Sequence, residues 1–192
     1  EGNCRSYGIP MSEIYQESIR YLAGKPQNAA YNYTCSSADA TLGLSKATWK
    51  DPLNSDNFCA PLNVLVFNSS VAGEDVDVGS KSVSEFTSPA VNKTIKEATD
   101  AVGVIEGLHG KSANFGATSS TSTSSNEYAL CSSKTISTLG DIFGICPEGP
   151  SNKGSYHMAG IASVIKNTRI RTFNTIPTSD INSLKVNSYA IQ

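Results

Sequence analysis

Charge is scarce in this chain. Asp, Glu, Lys and Arg make up 17% of its 192 residues, against about a quarter in an ordinary soluble protein. The formal net charge is only −2, so no surface field gathers the phosphates of nucleic acid or of an anionic membrane, and no nucleic-acid partner is expected. Long hydrophobic runs are missing as well. The greasiest stretch, Leu62-Asn-Val-Leu-Val-Phe67, contains an Asn and falls far short of the roughly 18 apolar residues of a membrane helix, so no transmembrane segment is read. Histidine occurs twice, at His109 and His157, too far apart for a multi-histidine metal site. No Cys-x-x-Cys pair exists, which removes a zinc site and a thioredoxin-like redox pair. Gly110-Lys-Ser112 lacks the first Gly and the spacing of a phosphate loop, and no Gly-x-Ser-x-Gly elbow occurs. The sequence opens on Glu1-Gly-Asn-Cys4 without Met or an apolar leader, as expected of a mature product whose targeting segment is gone.

Hydroxyl and amide groups take the place of ions. Ser, Thr, Asn and Gly wet the surface, an extracellular style of composition. Cys4, Cys35, Cys59, Cys131 and Cys146 read as a disulfide framework of an oxidising compartment, with two internal bridges and one odd cysteine. Proximity pairs Cys131 with Cys146, and Cys35 with Cys59 or with Cys4; in the first case Cys4 is the odd thiol. Asn32-Tyr-Thr, Asn68-Ser-Ser and Asn92-Lys-Thr are glycosylation acceptors in a secreted protein, at a frequency that chance alone supplies in so Ser-rich a chain. Every residue from Thr118 to Ser125 carries a hydroxyl. Such a run fixes little register and buries little, so it reads as an edge strand or docked loop held by a neighbour, ahead of a glycosylated stalk.

The expected fold class is α+β, strand-dominated, with antiparallel sheet, two helices at about 12–23 and 89–107, and disulfide support. One domain spans residues 1–192, a length sufficient for a single core. In the first helix Ser12 is the N-cap, Ile14, Ile19 and Leu22 lie near helical spacing, and Gly24 is the stop. The second takes Ser88 as N-cap and Pro89 as first helical residue, with Val91, Ile95, Ala98, Val102 and Ile105 as its apolar stripe. Leu62–Phe67, the alternation around Val76 and Val78, Arg169–Phe173 and Ser183–Ile191 read as half-buried antiparallel strands. In the last, Leu184, Val186, Ser188 and Ala190 share one face.

Candidate chemistry is thin. Gly154-Ser-Tyr-His157-Met-Ala-Gly160-Ile-Ala is similar to the histidine motif of subtilisin-like proteases, where the resemblance implies a general base. That family carries its nucleophile downstream in a Gly-Thr-Ser-Met-Ala setting, which Met158–Gln192 does not contain, so the base has nothing to activate. His109 follows the second helix, where a cation complements the C-terminal dipole. Asp75 and Asp77 in Gly-Glu-Asp-Val-Asp-Val-Gly79 are a weak calcium candidate without the far acidic ligand of such loops, and strand alternation would put both on one wet face. Trp49 and the tyrosines at 7, 15, 21, 31 and 33 gather early in the chain, where aromatics pack or serve as contact hot spots. No cofactor is implied.

These features point to a secreted or cell-surface structural or adhesive protein, not an enzyme. In its sharpest form it is a self-assembling filament subunit held by strand addition, partnered by its own kind, another chain or a cell-surface ligand. The alternative is a secreted toxin or effector chain, one subunit of a disulfide-linked heterodimer.

Overall fold

The computed structural model describes residues 9–28, 40–45, 48–68, 73–75, 77–118, 130–146, 153–173 and 183–191. Among the described residues, three helices of more than two turns, a two-stranded and a three-stranded sheet make an α+β fold. Helix α1 (Met11–Leu22) buries Tyr15, Gln16 and Ile19 on one face. It ends where Gly24 adopts φ +67°: the Gly24 N–H donates to Tyr21 O at 3.0 Å and the Lys25 N–H to Arg20 O at 2.9 Å, a Schellman stop. The expected cap differs, because Ser12 lies inside the first turn and the Asp75 carboxylate, from a remote loop, accepts its N–H at 2.8 Å.

Helix α2 (Ile95–Ile105) begins later than the stripe predicts. The Thr94 hydroxyl accepts the Glu97 N–H at 3.1 Å while the Glu97 carboxylate accepts the Thr94 N–H at 2.7 Å. This capping box satisfies N–H groups at the start of the helix, the task expected of Ser88, and the Ser82–Thr94 bridge pairs the cap residue with a preceding segment. Helix α3 (His157–Asn167) was not anticipated. It crosses α2 where Gly160 meets Ile95 and Thr99, an approach that a side chain would prevent.

Strand β1 (Leu62–Phe67) pairs with β5 (Val186–Ile191) in parallel, Leu62 opposite Val186 and Phe67 opposite Ile191. These two runs are thus correct as strands and wrong as an antiparallel pair. The second sheet is antiparallel, in the order β3 (Ser132–Thr135), β2 (Ser112–Ala117), β4 (Phe143–Ile145). The Cys131–Cys146 disulfide joins the residue before β3 to the residue after β4. Arg169–Phe173 is not a strand; Ile170 is buried, its N–H donating to Leu184 O at 2.9 Å. The main core takes Tyr15, Ile19, Phe86, Ile95, Ile161 and Val186, and a satellite under the antiparallel sheet takes Phe115, Ile136, Leu139 and Ile142. The tail is part of that main core, since Leu184 and Val186 on the inward face are almost fully buried.

Candidate functional site

Asp75 is the most buried acid among the described residues, with 0% exposure. Its carboxylate accepts the Ser12 N–H at 2.8 Å, the Ser12 hydroxyl at 2.5 Å and the Ser155 hydroxyl at 2.8 Å. It thus pins the start of α1 to the residues that enter α3. Burial pushes its pKa up to about 6, with the Ser12 and Ser155 hydrogen bonds pulling the other way. Asp77, by contrast, is exposed. The shared wet face read from Val76 and Val78 is therefore corrected: Val78 is buried in a turn at 77–80, and the chain turns Asp75 inward. Among the described residues no three His, Cys, Asp or Glu side chains gather to hold a metal.

His157 is also buried, and its Nε2 lies 3.1 Å from the Gly140 carbonyl. Burial holds its pKa below the ordinary 6.5. Ser155 gives its hydroxyl to Asp75 and accepts the His157 N–H at 3.3 Å. Ser, His and Asp are therefore neighbours, but among the described residues no hydroxyl is bonded to the imidazole, the contact that nucleophilic catalysis requires. Nearby, Lys96 is tied to Asp100 at 3.0 Å and Asp141 at 3.1 Å. The end of α2 is closed by main chain, the Gly107 N–H on Val104 O and the Leu108 N–H on Gly103 O, so the capping expected of His109 is done by Gly107 and Leu108. His109 packs against Gly103 instead.

Cys131 and Cys146 are bonded as their spacing predicts, whereas Cys59 carries a free, exposed thiol, so the Cys35–Cys59 pairing is not made. Cys4, Cys35, Asn32, Tyr7, Tyr31 and Tyr33 lie outside the described residues, as does the hydroxyl run beyond Thr118. Of the remaining sequons, Asn92 is exposed and Asn68 half-buried, its N–H donating to Ile191 O at 3.1 Å.

What stands open to solvent is apolar. The face of the β1–β5 ladder turned away from the core presents Leu65 (62% exposed) opposite Tyr189 (57%), and Phe67 (78%) opposite Ile191 (52%). Contiguous large apolar side chains on a surface mark contact sites, whereas scattered ones do not. Beside this face, Trp49 meets Tyr21 edge to face at 5.3 Å, so two members of the early aromatic group form a platform at the end of α1. The sequence signalled these aromatics; it did not signal the sheet face, because direct opposition of Leu65 with Tyr189 depends on a register between segments far apart in the chain.

A disulfide-bonded α+β module with an open apolar face is the class these features define. Residues 1–165 match the family described as PilY1 homolog, second domain, and the chain belongs to that family. It is 30% identical over 174 residues to the type IV pilus biogenesis factor PilY1 homolog of Xylella fastidiosa (strain Temecula1), covering 84% of this chain and 12% of that protein. The chain therefore spans about an eighth of the length of the curated relative it matches. No solved structure matches it.

Proposed function

We propose that this chain is a non-catalytic, surface-exposed binding module of a type IV pilus biogenesis factor, and that it holds another protein chain through the outward face of β1–β5. The observation that carries this reading is the pair of cross-strand contacts Leu65–Tyr189 and Phe67–Ile191, all four side chains more than half exposed. Water contact at such a patch is unfavourable by about 25 cal/mol per Å² of apolar area, which a protein partner recovers on binding. The relative's name supplies the setting, pilus biogenesis, and the Cys131–Cys146 bridge suits an oxidising compartment outside the cytoplasm.

The sharper version, a filament subunit held by strand addition, has to place its donor elsewhere than the tail, because β5 is engaged by β1 of the same chain. The outer edges of that ladder, which no described strand covers, are where addition is available. Among the described residues no arrangement favours a toxin or effector.

The test is a full-length factor carrying Phe67→Thr and Tyr189→Thr, returned to a piliated cell that lacks its own copy. Both positions are exposed and threonine suits a strand, so the module should fold while surface pili decline. Parental pilus numbers, with the variant present at the surface, would overturn the reading.

A further inference from the structure

Next to the outer sheet face runs a groove of about 1000 Å³, between the solvent side of α1 and the edge of β1 that β5 does not occupy. Ile14, Tyr21, Trp49 and Leu65 give it an apolar lining, and Ile14 is 54% exposed. An unpaired strand edge presents N–H and C=O groups at every second residue, a template for another strand. One wall carries an acid that lacks a direct partner. Glu17 is bound to Arg20 at 3.0 Å, but the Glu13 carboxylate has no hydrogen bond or ion pair among the described residues. It feels the carboxylates of Asp75, Asp77 and Glu74 against the single cation Lys81, and burial together with these neighbours pushes its pKa up to about 7. Lys50 lines the groove beside Trp49.

We propose that this groove takes an extended segment of a partner protein as a third strand beside β1, with a lysine or arginine of that segment set against Glu13. Main-chain hydrogen bonds to the free edge supply affinity, and alternate apolar side chains enter between Ile14 and Leu65. The cation relieves the repulsion around Glu13 and forms a charge-assisted hydrogen bond with it. The inference rests on the reading of the chain as a binding module and names the chemistry of what it binds.

Trp49 is the only tryptophan in the chain, so its emission reports on the groove directly. The probes are short synthetic peptides of alternating valine and threonine with a central lysine, the same peptides with a central glutamate, and the lysine peptide N-methylated along one edge or the other. With the full 192-residue chain, the lysine peptide should shift Trp49 emission saturably and bind about tenfold tighter than the glutamate peptide. Methylation of the edge facing β1 should abolish binding, and methylation of the opposite edge should leave it. Glu13→Gln should remove the lysine preference, and Ile14→Arg, on the solvent side of α1, should block the groove. Emission unmoved by every peptide, equal binding of lysine and glutamate peptides, or indifference to methylation of either edge would overturn the proposal. Neither Phe67 nor Tyr189 lines the groove. Loss of pili in the Phe67/Tyr189 variant without any peptide response therefore removes the groove and leaves the binding module, and a peptide response with undiminished pili does the reverse.

Discussion

Asp75 sets the pH behaviour of the fold. Buried and held near pKa 6, it binds its proton more tightly in the folded state than in the unfolded chain, where its ordinary value is 3.8. Its stabilising contribution is therefore complete below about pH 4 and is lost as pH rises through 6. A rise from pH 4 to 7.5 should cost about 2–3 kcal/mol from this group alone. Glu13, raised to about 7 by burial and by Asp75, Asp77 and Glu74, acts in the same direction. His157 acts in the opposite one: its pKa lies below 6.5 in the fold, so it costs stability as pH falls through 6.5. Comparing Asp75→Asn with the parent isolates the carboxylate, since Asn keeps an acceptor for the Ser12 N–H. Denaturant unfolding across this range should give the variant a flatter profile, and parallel profiles would contradict the assignment. The acid itself is plain in Gly-Glu-Asp-Val-Asp-Val-Gly, but its burial is not. The hydroxyls that satisfy Asp75 come from positions 63 and 80 residues away, and local alternation carries no trace of them.

The contact of α2 with α3 turns on one residue. A methyl group on Gly160 would lie 2.6 Å from the Thr99 nitrogen and 2.9 Å from the Ile95 carbonyl oxygen. These are backbone atoms that cannot step aside, so Gly160→Ala should destabilise the module by roughly 1–3 kcal/mol, read as a lower midpoint in thermal unfolding. At the start of α2, Thr94→Ala removes one arm of the capping box and should cost about 1 kcal/mol. Ile95, fully buried, should not tolerate Asp; Lys96→Asp is not silent either, because Lys96 bridges Asp100 and Asp141. α1 and α2 were legible because each carries an apolar stripe with a recognisable boundary: the Gly24 stop held, while Pro89 misplaced the start of α2. α3 had the signal too, with Ile161, Val164 and Ile165 at helical spacing. It was hidden by its opening residues, which resemble a catalytic motif, and by Tyr156, which supplies no side-chain cap.

At the scale of the whole molecule, the family match and the physical unit do not end together. The matched residues stop at 165, inside the last turn of α3 (His157–Asn167), yet the main core continues into Ile170, Leu184 and Val186. The inward alternation of Leu184 and Val186 was readable from the sequence. Their partner was not, because a parallel ladder joins segments that no turn connects, and neither strand carries a mark of direction. Without β5, strand β1 loses its only partner among the described residues, and Tyr15 loses its hydroxyl contact with Ser188. A chain of residues 1–165 should therefore fail to give a cooperative thermal transition, while residues 1–191 should give one. Leu184→Ala in the full chain should cost about 2–5 kcal/mol by leaving a cavity in the main core, whereas Phe67→Thr and Tyr189→Thr, on the outward face of the ladder, should leave the midpoint nearly unchanged. Circular dichroism during heating measures all four. If 1–165 melts as sharply as 1–191, then the tail lies against a core already complete, and the sheet face loses the rigid backing on which its role as a docking surface depends.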